Sequence, residues 1–166
     1  DYDAWLLSSN SKSLQMLYAI CADLGIEAEP NPKCPGDFKE GTGIRLLSWT
    51  KSVAQPAVRT PTYAWEPVLM RGARRLPLRG SRPRDWVFAQ PEVYPHNVPK
   101  PDEYVTGAKP REFCRWLFEC VGAEPDDEFV DVFPGSGGVA RAWDAWRSQP
   151  RIEEIEIETM QIDGLA

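Results

Sequence analysis

The residues whose types and order could do chemistry stand together at Asp131-Val132-Phe133-Pro134-Gly135-Ser136-Gly137. The apolar stretch over 128–133 reads as a strand, and Val139, Ala142, Trp143 and Trp146 recur at the spacing of a helix running from about 139 to 147. A strand that enters a glycine turn and leaves as a helix makes a cradle for a ligand. Gly135 and Gly137 let backbone come close to a bound molecule. The first turn of the helix offers unpaired N–H groups to an anionic group such as a carboxylate. Open α/β sheets collect their ligands at the carboxyl ends of parallel strands, where this turn is expected to lie. By itself the turn is a weak signal, since a plain tight turn has the same glycines.

The preceding stretch adds to it. Thr106-Gly107-Ala108-Lys109-Pro110 opens a helix, for which Pro110 suits the first turn; Phe113, Trp116, Leu117, Cys120 and Val121 form its apolar face, and Gly122 ends it. This Lys-Pro helix followed by Asp-x-Phe-x-Gly-Ser-Gly resembles the S-adenosylmethionine-dependent amino-methyltransferases of DNA, which modify adenine N6 or cytosine N4, in their permuted motif order. Val132 stands where that family has Pro. The likeness extends backwards through a strand and helix over 4–24, Trp49-Thr50-Lys51, and the Glu66 of Tyr63-Ala64-Trp65-Glu66-Pro67. It is specific from 107 to 146 and looser before that.

The resemblance implies an α/β fold, a Rossmann-like methyltransferase sheet flanked by helices. It implies S-adenosylmethionine as cofactor, with Asp131, Phe133, Pro134, Gly135, Ser136 and Gly137 around its methionine end. Lys109 and Pro110 would line the same pocket, and Glu156, with Glu154 as the other candidate by spacing, would meet the ribose. The activity implied is methyl transfer to an exocyclic amine of a DNA base, this chain supplying the cofactor-binding half. The chain then reads as one domain over 1–166, with 71–106 an irregular Arg- and Pro-rich insert where target recognition would lie. Arg74, Arg75, Arg79, Arg82 and Arg84 are its candidate DNA contacts, and a solvated loop accounts for them equally well. Trp86, Phe88 and Tyr94 are of a type that stacks on bases, although aromatics in a long loop more often pin it to the core.

One part of the family pattern is missing. Amino-methyltransferases use an Asp/Asn/Ser-Pro-Pro-aromatic segment, in which a side-chain oxygen and a backbone carbonyl accept the target amine's protons while the ring stacks on the flipped base. This sequence has no Pro-Pro pair, so no catalytic residue is identified. In family order that segment precedes residue 1 and feeds a central strand between the one at 128–133 and the one at 4–7. Without it the sheet is expected to be incomplete, since a missing central strand strands backbone polar groups in the core. The expectation is a longer protein, or a second chain completing the sheet. The alternative function is a non-catalytic methyltransferase-like module that binds nucleic acid or a catalytic partner.

The remaining elements must position this site. Ala4-Trp5-Leu6-Leu7 reads as a buried strand, and Leu14, Leu17, Tyr18, Cys21 and Leu24 as a helix stopped by Gly25. Residues 44–51 and 63–70 read as strands, antiparallel neighbours across a proline-bearing connection. From 71 to 109 periodicity fails, and Ile152, Ile155 and Ile157 make a last strand or an amphipathic tail.

With 166 residues and 42% hydrophobic content the chain suits one core. A net charge of −6 argues against a general nucleic-acid coat, though not against a local basic patch. Cys21, Cys34, Cys114 and Cys120 form no CxxC pair, and the single His96 has no partners for a zinc site, so no metal is expected. Reduced thiols favour a cytoplasmic protein. No apolar run approaches a membrane span, so membrane insertion is not expected.

Overall fold

In a computed structural model, residues 2–35, 39, 42–55, 61–76, 82–91 and 108–149 are described. Four strands and three helices follow one another along them: β1 (Trp5–Ser8), α1 (Leu14–Asp23), β2 (Arg45–Gln55), β3 (Tyr63–Arg71), β4 (Trp86–Phe88), α2 (Arg111–Val121) and α3 (Gly138–Arg147). The class is α/β with one mixed sheet in the order β1-β3-β2-β4. β3 runs antiparallel to β2, as their proline-bearing connection leads one to expect, and antiparallel to β1 as well. β4 pairs parallel with β2.

Alternation along the strands divides the sheet into two faces. Leu47, Trp49 and Val68 point to one of them and bury against α2, where the Trp49 and Phe113 rings lie 4.5 Å apart. The α2 sequence puts Phe113, Trp116, Leu117 and Cys120 on one stripe, and all four are buried. Gly122 closes the helix in the left-handed conformation at φ 67°, which a residue with a Cβ adopts only under strain. α3 lays Trp143 against α2, where it meets the Phe118 ring edge-on at 5.2 Å. The opposite face carries Leu46, Ser48 and Thr50 of β2, Trp65 of β3, and Trp86 and Phe88 of β4.

Three expectations are corrected. Residues 128–133 form no strand: Val130, Val132 and Phe133 are exposed, and Asp131 Oδ1 instead accepts the Phe133 N–H in a local turn at 3.2 Å. A strand needs a neighbour for its backbone groups, and this segment has none among the described residues. The glycine turn therefore does not leave the carboxyl end of a parallel strand. β1, expected as a buried strand, is half-buried and lies at an edge of the sheet, paired only with β3 among the described residues. α1 keeps its boundaries, but of its apolar residues only Cys21 is buried, with Tyr18 and Leu24 exposed. β4 was not expected at all. Ile152, Ile155 and Ile157 lie outside the described residues, as does much of the 71–106 insert.

Candidate functional site

Trp49 is the floor of the site. It is 2% exposed, and its indole N–H donates to the Ala89 carbonyl at 2.8 Å, which fixes the ring. Two ammonium groups lie over that ring, Lys51 Nζ at 4.1 Å and Lys109 Nζ at 4.5 Å from the centroid. Between them stands Glu66, which register places opposite Trp49 on β3. Lys51 donates to one Glu66 oxygen, and Lys109 donates to the other at 2.9 Å. Lys109 also donates to Ser8 Oγ at 3.1 Å, tying the entry of α2 to the end of β1. Burial alone would push the Glu66 carboxyl up, but hydrogen bonds from Lys51 and Lys109 and their positive charges outweigh it and hold it below the ordinary value. Two lysines on one carboxylate leave the cluster with one positive charge in excess.

The glycine turn lies beside this cluster. A Cβ built on Gly138 would stand 3.3 Å from Ser136 Oγ and 3.8 Å from the Lys109 carbonyl, so turn and Lys-Pro segment are in contact. Gly135 and Gly137 have φ of 47° and 70°, both in the left-handed region. Around Gly135 a Cβ would meet only the Phe133 carbonyl at 3.7 Å, which leaves that side of the turn open. The Gly137 N–H closes the turn onto the Pro134 carbonyl at 2.6 Å, and among the described residues no side chain caps α3. Arg141 holds the turn from behind, donating to the Ser136 carbonyl at 2.9 Å. Asp131 Oδ2 is buried without a hydrogen-bond partner, one of two such side-chain atoms among the described residues, the other being Trp146 Nε1. The Cys114 thiol links the two parts. Burial pushes it up to about 11, and it feels both the Lys109 and the Asp131 charges.

Of the residues singled out by sequence, Asp131, Phe133, Pro134, Gly135, Ser136 and Gly137 form this turn, and Lys109 and Pro110 adjoin it; Phe133 is largely exposed. Glu154, Glu156, Arg79 and Tyr94 lie outside the described residues. Arg74 is engaged elsewhere: its guanidinium makes two bonds to Asp127, at 2.7 and 2.8 Å, and one to the Gly122 carbonyl at 3.0 Å. Arg75 is exposed, Arg82 bonds the Leu76 carbonyl at 3.4 Å, and Arg84 lies over the Trp86 ring at 5.4 Å. Sequence reasoning missed the meeting of Lys51, Glu66, Lys109 and Ser8. Its signal was present as three separate motif matches, but nothing in the spacing joins them.

Cys21, Cys34, Cys114 and Cys120 are all free, and burial pushes Cys120 up to about 12. Among the described residues no group of three His, Cys, Asp or Glu side chains could hold a metal ion, and no helix is long and apolar enough to cross a membrane. Comparison with protein-family models, with curated proteins and with solved structures gives no match.

Proposed function

We propose that the turn from Asp131 to Gly137, together with Lys109, binds the methionine end of S-adenosylmethionine, and that the chain serves methyl transfer to an exocyclic amine of a DNA base. The observation that carries this reading is the unsatisfied Asp131 Oδ2 beside an open glycine turn and an uncapped helix. A buried carboxylate oxygen without a donor is costly, and an ammonium group such as that of methionine would satisfy it. The cofactor's carboxylate has two complements nearby, the N–H groups of the first turn of α3 and the excess positive charge of the Lys51, Glu66 and Lys109 cluster. The residues present therefore fit the zwitterionic end of the cofactor. When bound, S-adenosylmethionine supplies an electrophilic methyl group on sulfur. The chain's own part is to hold and align that donor.

The amine-orienting segment is proposed to come from a strand that pairs with the open side of β1, from a preceding stretch of the protein or from a second chain. The outer edge of Trp5–Ser8, unpaired among the described residues, supports this. DNA is the proposed partner and the cytoplasm the proposed compartment, the latter supported by four free thiols.

Equilibrium dialysis against labelled S-adenosylmethionine tests the cofactor reading. The wild-type chain is expected to retain the label, and Asp131→Ala to lose at least about tenfold in affinity, the worth of one charge-assisted hydrogen bond. No retention by the wild type overturns it. Mass spectrometry of nucleosides from defined duplexes, incubated with the chain and its completing segment, then separates enzyme from binding module by the presence of N6-methyladenine or N4-methylcytosine.

A further inference from the structure

The sheet face turned away from α2 carries an uncommon set of side chains. Trp65, Trp86 and Phe88 are 38%, 45% and 55% exposed on it. Register sets them in two rows: Trp65, Thr50 and Phe88 lie side by side across β3, β2 and β4, and Trp86 stands beside Ser48 one pleat away. Trp86 and Phe88 are two residues apart on one strand, which separates their attachment points by about 7 Å. Trp65 and Phe88 are two strands apart, or about 10 Å. The small residues Ser48 and Thr50 leave a hollow of about 490 Å³ between Trp65 and Trp86, bordered also by Leu46 and Asp85. A core would have filled that space.

Two cations and one carboxylate border the rings. Arg84 lies over Trp86, and its backbone is pinned because its carbonyl accepts the Trp116 indole N–H at 2.8 Å. At the far end Lys12 lies 5.3 Å from the ring of Tyr63, which shares a face with Trp65. Among the described residues Asp85 is the one acidic side chain bordering the hollow. A locally basic rim thus frames exposed rings on a chain whose net charge is −6.

We infer that this face is a stacking platform for a single-stranded nucleic acid. Exposed rings at strand spacing take successive unstacked bases on their flat faces, as open sheets with surface aromatics do. Ser48 and Thr50 sit between the rings, where hydroxyls reach base edges or sugar. Arg84 and Lys12 mark the path of the phosphates. The cluster at Glu66 lies on the other face of the sheet, so the platform does not depend on the methyl-donor reading.

Fluorescence anisotropy with the whole chain and no S-adenosylmethionine tests it, using a labelled single strand of about 12 nucleotides, within the usual footprint of such surfaces. DNA, RNA of the same sequence and the DNA duplex are compared. Both single strands are expected to bind more tightly than the duplex, and whichever sugar is preferred identifies the natural strand. Trp86→Ala, Phe88→Ala and Trp65→Ala should each weaken single-strand binding by roughly 5- to 100-fold, the range for losing one stacked base. Trp86→Phe, which keeps a ring, and Leu46→Ala, which removes an apolar group without one, should stay within about threefold of wild type. Ring variants that bind like wild type, a duplex that binds as tightly as the single strand, or no binding by the wild type would overturn the proposal. So would sedimentation showing a dimer that Leu46→Ala and the ring variants dissolve alike, since the face would then join two copies of the chain.

Discussion

Replacing Glu66 by Gln leaves two ammonium groups over Trp49 with only a neutral amide between them. Side-chain exposure is 10% for Lys51, 26% for Lys109 and 25% for Glu66, so water screens the cluster only in part. A unit pair near 3 Å at an effective dielectric of about 20 attracts by about 6 kcal/mol before the cost of leaving water, which cancels most of it. Removing one partner from a fully buried pair costs about 3–5 kcal/mol, and partial exposure brings that down to about 2–3 kcal/mol here. For a chain of this size such a loss lowers Tm by about 4–12 °C. Differential scanning calorimetry at pH 7 measures it.

The pH dependence follows from the same contact. The Glu66 carboxyl is held below its ordinary value of 4.5, so its contribution is fully present above pH 4.5 and drains away as pH falls through the lower folded value. Wild type should therefore lose stability across that acid range more steeply than Glu66→Gln does. A triple variant, Lys51→Met with Glu66→Leu and Lys109→Met, should melt close to wild type, because apolar residues of similar volume replace a buried ion cluster at little net cost. If Glu66→Gln melts within about 1 °C of wild type at pH 7 and shows the same acid limb, the cluster contributes nothing and the reasoning fails.

Gly72→Ala should destabilise strongly, by about 3 kcal/mol or more, because the new Cβ would lie 2.0 Å from the Asp3 carbonyl oxygen at a φ of 69°; chemical denaturation reads this. Phe113→Ala empties a site 1% exposed beneath Trp49 and should cost about 3–5 kcal/mol in the same assay. Iodoacetamide at pH 8 should label Cys34 quickly and spare Cys114 and Cys120, whose thiols burial holds at about 11 and about 12; equal labelling in peptide mapping would contradict the burial. Arg74→Ala should lower Tm yet leave nucleic-acid affinity unchanged, since Asp127 and the Gly122 carbonyl already occupy its guanidinium.

The parts legible in the sequence are those whose order is local. α2 and α3 announce themselves because Phe113, Trp116, Leu117 and Cys120, then Val139, Ala142, Trp143 and Trp146, repeat at helical spacing and find a core to face. β4 was hidden, since three residues among arginines and prolines carry no period of their own; β2 supplies its hydrogen bonds. The stretch 128–133 deceived for the opposite reason. It has the composition of a strand but no neighbour to pair with, so Phe129 alone finds the core, stacked at 5.2 Å on Trp143. The site shows the same division. The glycine turn was readable residue by residue, whereas the cluster joins positions 15 and 43 apart from Glu66 along the chain. Strand register brings Lys51 to Glu66, and the packing of α2 on the sheet brings Lys109.

The edge that β1 leaves unpaired among the described residues has a consequence for handling this protein. Its sequence, Trp-Leu-Leu-Ser, carries none of the guards that keep exposed strands apart: no lysine, no proline and no bulge. The next element, α1, and its C-cap present Met16, Tyr18, Ile20 and Leu24 to water. A surface of that kind is adhesive. Concentrated stocks should gel or sediment sooner than dilute ones, and a tethered strand peptide that caps Trp5–Ser8 should keep them clear.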